Sequence, residues 1–190
     1  MPQASGTDLR VTATFEEALA RASEGARIWM EHWRSLASAG TLPRRSHLDP
    51  SAVVRILKNM SITEREDPDT LWLRLVGSGI VERIGADTTG KNILDVHIQT
   101  QRQVLRDHLN FLLDRPCGQL LLLVDTYTSG HRLAVNLCRM PMADATGAAR
   151  YIVGAADSPF LWSLRPEHPV ETVVQGSMFF ALPGIEPDDA

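Results

Sequence analysis

Five consecutive apolar residues, Leu120-Leu121-Leu122-Leu123-Val124, limit this chain more than any other stretch. A strand with one wet face alternates apolar and polar side chains, so an unbroken apolar run implies a sheet covered on both faces at that point. The run opens a three-strand meander. Residues 119–127 are followed by a Thr128-Ser129-Gly130 hairpin loop and then by an alternating segment over 131–140. Its Leu133, Val135 and Leu137 fall on one face, with Ala134, Asn136 and Cys138 on the other. A second loop around Asp144-Ala145-Thr146-Gly147 leads to a third strand over 150–157. Upstream, residues 60–65 alternate, Glu66-Asp67-Pro68-Asp69 is turn chemistry, and 71–76 make the second strand of a hairpin.

Helices fill the remainder. Thr14 followed by Glu17 forms a capping box. Phe15, Leu19, Ala22, Ala26, Trp29, Trp33 and Leu36 then recur at spacings of three and four, which predicts one amphipathic helix up to the stop at Gly40 and Pro43. That apolar stripe, with Phe15, Leu19, Trp29 and Trp33 its largest members, either covers the sheet as its second layer or forms a dimer seam. Residues 42–48 are a linker. Asp49-Pro50 opens a helix whose apolar face carries Val53, Val54, Ile56 and Leu57. Residues 97–114 make a long helix with Ile98, Leu105, Leu109 and Leu112 inward. Residues 1–13 are small and polar and expected to fray. After Asp157 the chain turns proline-rich and ends in acids, as a tail that drapes over the domain or docks a partner.

Composition excludes several function classes. A net charge of -4 and a pI near 5.8 disfavour a nucleic-acid-binding surface. No apolar run approaches the length of a membrane span, and the N-terminus has no secretory pattern. Cys117 and Cys138 form neither a metal-ligand spacing nor a disulfide framework. The expectation is a reduced, cytoplasmic protein. No catalytic motif accompanies Asp125 and His131, which flank a hairpin loop, so the chain is not expected to be an enzyme.

One motif invites a nucleotide-binding reading. Gly85-Ala86-Asp87-Thr88-Thr89-Gly90-Lys91 matches G-x-x-x-x-G-K. A phosphate cradle needs a strand entering the loop, a helix opening directly after it, and Ser or Thr after the lysine. Here a helix enters, the residue after Lys91 is Asn92, and 93–95 start no obvious helix.

The order of elements is a strand pair, short helices, one long helix and three meandering strands. With Leu73-Arg74-Leu75-Val76-Gly77-Ser78, the pair Ile84-Gly85, and Thr89-Gly90-Lys91-Asn92-Ile93-Leu94-Asp95, it resembles a PAS domain. Leu42-Pro43-Arg44-Arg45 followed by Asp49-Pro50 is similar to the stand-alone, single-domain PAS proteins typical of alphaproteobacteria. The resemblance covers residues 28–157. It implies an α+β fold with a five-stranded antiparallel sheet and helices across one face, plus the N-terminal helix as sheet cover or dimer seam. The expected organisation is a helical extension over 1–41, a PAS core over 42–157 and a tail over 158–190. It also makes Gly85 and Gly90 turn positions and Lys91 a solvated loop residue.

The implied function is non-enzymatic signal transduction, through a small ligand or a protein partner and a homodimer. The alternative is a small-molecule carrier or small enzyme on another curved-sheet α+β fold. Candidate ligand contacts are Trp72, Arg74, Ile80, Ile84, His97, His108 and Asn136. His97 and His108, eleven residues apart, point the same way but stand about 16 Å apart along a helix, so they cannot share one metal ion. Haem on a single histidine lacks a second anchor for its propionates. Flavin-adduct chemistry of the light-sensing relatives requires a cysteine among the short helices, where neither Cys117 nor Cys138 falls. No cofactor is therefore assigned.

Overall fold

A computed structural model describes residues 9–96, 101–157 and 169–185. Its elements are β1 (Val11–Ala13), α1 (Phe15–Arg21), α2 (Glu24–Leu36), β2 (Met60–Asp67), β3 (Thr70–Val76), α3 (Ser78–Ile84), α4 (Ile93–Val96), α5 (Arg102–Asp114), β4 (Gly118–Tyr127), β5 (Arg132–Ala143), β6 (Ala149–Asp157) and β7 (Pro169–Phe180). One sheet runs β1-β7-β4-β5-β6-β2-β3. The five strands expected from the sequence are its contiguous block β4-β5-β6-β2-β3, all antiparallel. The sheet has seven strands because two further segments extend it. Residues 169–180, expected in the tail, pair antiparallel with β4, and Val11–Ala13, expected to fray, pair parallel with β7.

Both faces of the sheet are covered, by different helices. On the first face, Trp29, Met30 and Trp33 of α2 pack with Phe15, Met60, Ile62, Cys138, Met140, Val153 and Phe180. On the second face, Leu109, Leu112 and Leu113 of α5 and Ile93 and Leu94 of α4 pack with Leu71, Leu73, Ile152 and Phe179. Neighbours in one strand, Val153 and Ile152 or Phe180 and Phe179, thus enter opposite layers, as the strand period of two requires. The helices expected across one face thus lie on the second, and the N-terminal helices cover the first, as the sheet-cover reading has it. Within the five-residue apolar run, Leu121 and Val124 are buried, whereas Leu122 is 38% exposed. The N-terminal helices cover the Leu120 end of that run and stop short of Leu122.

The predicted N-terminal helix is two helices. The capping box at Thr14 is present, but α1 ends at Ala22 in extended conformation and Ser23 caps α2 through Ala26 N–H. The apolar stripe continues across the break, which is why periodicity alone misses it. Trp29 and Trp33 have no exposed surface, and the Trp33 indole N–H donates to the Pro141 carbonyl at 2.8 Å. Phe15 is buried and Leu19 half-buried against the same cluster. The stripe packs in cis, so the tryptophans offer no surface to a second chain. Burying each such large apolar side chain contributes roughly 1.5–3 kcal/mol.

The helix expected from Asp49-Pro50 is instead a series of turns. The bonds Ala52 N–H to Asp49, Val53 N–H to Pro50, Ile56 N–H to Val53 and Asn59 N–H to Ile56 all have i to i+3 spacing. Val53 and Ile56, three apart, are buried, while Val54 is 67% exposed. The short segment gains too little per turn to propagate as an α-helix.

Candidate functional site

The stretch following β3 shapes the second face. Gly77 lies against the backbone of Lys58, where an added Cβ would stand 2.3 Å from the Lys58 carbonyl oxygen. Gly85 ends α3 with φ +75, a conformation glycine adopts without a steric penalty. In the G-x-x-x-x-G-K loop the amides of Gly85, Thr89, Gly90 and Lys91 are committed within the chain. Gly90 N–H donates to the Leu73 carbonyl at 2.7 Å, and Thr89 N–H donates to the Asp87 carboxylate. Residues 93–96 do form a helix, contrary to expectation, but a single turn on which the Asn92 side chain accepts from Leu94 N–H. Lys91 is exposed. The glycines hold a corner, and the loop is tied back onto β3.

Behind that corner, α3 packs on the middle of the sheet. A small cavity of ≈ 20 Å³ lies between them, lined by Asn59, Gly79, Ile80, Arg83, Val135, Ala156 and Asp157. That volume holds about one water molecule. Arg83 closes it with a buried ion pair, its Nη1 2.5 Å from Asp125 Oδ2. Asp125 has no exposed surface, and its other oxygen accepts from the Thr172 hydroxyl at 2.6 Å. One carboxylate thus joins α3, β4 and β7. Nearby, the buried Tyr127 hydroxyl has no hydrogen-bond partner among the described residues, and burial, with the Asp125 charge adding to it, raises its pKa.

Further along the same face lies a second polar group. Gln119, with no exposed surface, approaches His108 Nδ1 at 3.0 Å and donates to the Ser177 hydroxyl at 3.0 Å. Its Oε1 accepts from Arg139 Nη1 at 3.3 Å. Burial lowers the His108 pKa, and the Arg139 charge lowers it further, favouring the neutral imidazole. Burial also pulls the Arg139 guanidinium down to about 10, which leaves it charged at neutral pH.

The sequence-predicted residues distribute unevenly over this site. Ile80 lines the cavity, and Ile84, half-buried, is on the same helix without reaching it. His108 belongs to the polar group just described. His97 lies outside the described residues. Asn136 pairs with Leu122 and Asp157 across the strands, and so belongs to the first face, away from the cavity. Trp72 and Arg74 are on the outer strand β3, where the indole N–H donates to Glu66 and the guanidinium pairs with Glu64 at 2.6 Å. They brace the sheet edge. Arg83, Gln119, Asp125, Tyr127 and Arg139 have no place among the predicted contacts. For the four on strands the one sequence signal is a polar side chain at an inward position, and Arg83 is on α3. Among the described residues no group of three His, Cys, Asp or Glu side chains could hold a metal ion, and no helix is long and apolar enough to cross a membrane.

The PAS domain family model matches residues 21–157. This chain therefore belongs to the PAS domain family. No curated protein matches it. Among solved structures it is similar to a light-oxygen-voltage domain studied with a flavin analogue, at 16% identity and TM-score 0.42 over 59% of this chain and 87% of that one. The light-state domain of the blue-light photoreceptor Aureochrome1 gives 14% identity and TM-score 0.41 over 58% and 88%. The Vibrio cholerae VqmA dimer gives 13% and 0.44 over 60% and 52%. These likenesses are distant, and the family assignment rests on the sequence match.

Proposed function

We propose that this protein is a non-enzymatic sensory module that binds a small molecule between the second face of its sheet and helices α3 and α5, and signals through its N-terminal helices to a partner protein. One observation carries the reading. Asp157 lines the cavity under α3 and also accepts the Gly25 N–H in the first turn of α2, at 3.0 Å. A ligand that displaces the end of β6 must therefore disturb the docking of α2, which lies on the opposite face. Contact is close there: a Cβ at Gly25 would stand 3.1 Å from Asp157 Cβ, so the junction has no slack to absorb a shift.

Replacing Ala156 by Leu mimics occupancy, because it adds bulk to the cavity wall. Hydrogen exchange read by mass spectrometry is expected to speed up in 79–83 and also in 24–30. Acceleration confined to 79–83 and 150–157 would separate the cavity from α2 and refute the signalling route.

A further inference from the structure

We propose that β7 pairs edge to edge with β7 of a second copy of this chain, so that two sheets join across a two-fold axis. The surface lies away from the cavity under α3, and the pairing holds whether or not a small molecule binds. β7 is paired with β4 from Pro169, opposite Tyr127, to Phe180, opposite Gly118. On its other side β1 pairs only with Phe179 and Phe180. Among the described residues the outer edge of 169–178 therefore carries no strand. An open edge is a template for another strand, and chains that must stay apart protect it with charges, lysine above all. The only charge on 169–178 is Glu171, while Val170, Val173 and Val174 are 59%, 37% and 42% exposed.

The register shows which backbone groups are open. Ala181 N–H donates outwards to the Ala13 carbonyl, so by alternation Phe180, Met178 and Gly176 bond inwards to β4. β4 keeps an unbroken register with β5, which carries the alternation on to Val124 and Thr126. Those two face Val173 and Glu171, past the slip that leaves Gln175 without a partner on β4. The N–H and C=O groups of Val170, Thr172 and Val174 are thus left pointing outwards. The Gln101 side chain agrees, since its Nε2 donates to the Thr172 carbonyl at 3.2 Å, where the N–H of a partner strand would stand.

The strand is complementary to itself, which selects a second copy as its occupant. An antiparallel pair centred on Thr172 brings the outward residues together. Thr172 faces Thr172 of the second copy, Val170 faces the second copy's Val174, and each facing pair exchanges two backbone bonds. The valines then cluster across the junction on the face that carries the Thr172 hydroxyl. Glu171 falls opposite the second copy's Val173, so the two carboxylates do not oppose each other. Residues 1–8 precede β1, which runs parallel to β7, but they suit this edge poorly. They contain Pro2, which has no N–H, and Gly6, with no β-branched apolar residue to meet the valines. The paired run is short, so the association is weak and depends on concentration.

The full chain is followed by sedimentation velocity from about 1 μM to 1 mM, with residue-resolved amide exchange at both ends of that range. A dimer is expected to appear with rising concentration. The Val170, Thr172 and Val174 amides are expected to slow roughly ten-fold, while those of Glu171 and Val173, already bonded to β4, stay unchanged. Val174→Lys is expected to weaken association by about ten-fold or more, whereas Val54→Lys, at a position 67% exposed elsewhere, leaves it unchanged. A monomer throughout the range would overturn the proposal. So would a dimer in which the Val170, Thr172 and Val174 amides exchange as in the dilute sample, or one that Val174→Lys leaves intact, because either places the contact elsewhere. Slow exchange of those amides already in the dilute, monomeric sample would assign the edge to a segment of the same chain and overturn the second copy. The exchange comparison uses the unaltered protein, so it needs no variant to fold.

Discussion

Removing Arg83 takes the counter-charge from a fully buried carboxylate. Asp125 has no exposed surface and Arg83 is 12% exposed, so the pair works in a low-dielectric setting. In Arg83→Ala the carboxylate keeps only the Thr172 hydroxyl at 2.6 Å. An uncompensated buried charge of this kind costs roughly 3–5 kcal/mol. Set against a typical domain stability of about 5–15 kcal/mol, the loss is large. The double variant Arg83→Ala, Asp125→Leu, compared with Arg83→Ala and with Asp125→Leu alone, removes both charges and leaves chiefly the Thr172 hydroxyl unsatisfied, a cost of about 1–3 kcal/mol. The two sites should therefore couple by about 2 kcal/mol or more in a double-mutant cycle. Urea unfolding followed by far-ultraviolet circular dichroism measures each variant, with the slope checked for constancy. If α3 opens locally in Arg83→Ala, water reaches Asp125 and the global loss is capped; faster amide exchange in 79–84 would report that opening. A loss under about 1 kcal/mol with unchanged exchange in α3 would refute the argument, because it would make the pair equivalent to a solvated surface contact.

Three further outcomes follow from single sites. Trp33→Ala should cost roughly 3–5 kcal/mol in the same assay, since Trp33 is fully buried and bonded to Pro141, and sedimentation should be unchanged by it. Gly118→Ala should destabilise by about 1–3 kcal/mol, because its Cβ would stand 2.1 Å from the Phe180 ring in a packed core, whereas Gly147→Ala meets no atom within 4 Å and loses only through its positive φ. His108 has a folded-state pKa below its ordinary value, so the folded protein resists protonation there. Stability should then fall as pH drops below about 6.5, by no more than about 1.4 kcal/mol per pH unit from this group, and His108→Gln should flatten that slope.

The strands of the five-stranded block were legible because their signals are local. Alternation over 60–65, 71–76 and 131–140, with turn residues between, needs only a period of two and a polar break. The extension by β7 was hidden because Pro169, Gly176 and two register shifts against β4 interrupt the alternation of its twelve residues. The break in the N-terminal helix was hidden because Ala22 and Ala26 keep the stripe in phase through Ser23, whose capping role is evident only from its extended backbone. For the site, the helix side chains were easier than the strand ones. Ile80 and His108 point inward on helices whose apolar faces are evident. Asn136 and Arg139 differ in strand parity, and that parity sets which face each enters; both faces are covered, so polarity alone could not choose between them. The Gln119, His108, Ser177 and Arg139 group draws on β4, α5, β7 and β5, and no spacing motif links four such elements.

A small molecule held on the second face would travel with the protein through purification. Native mass spectrometry of freshly purified protein, compared with the same sample under denaturing conditions, tests it most directly. The native mass is expected to exceed the denatured mass by one small molecule per chain, released on unfolding and lost in Ala156→Leu. Equal native and denatured masses, with no adduct formed on addition of small-molecule extract from the expressing cells, would contradict it.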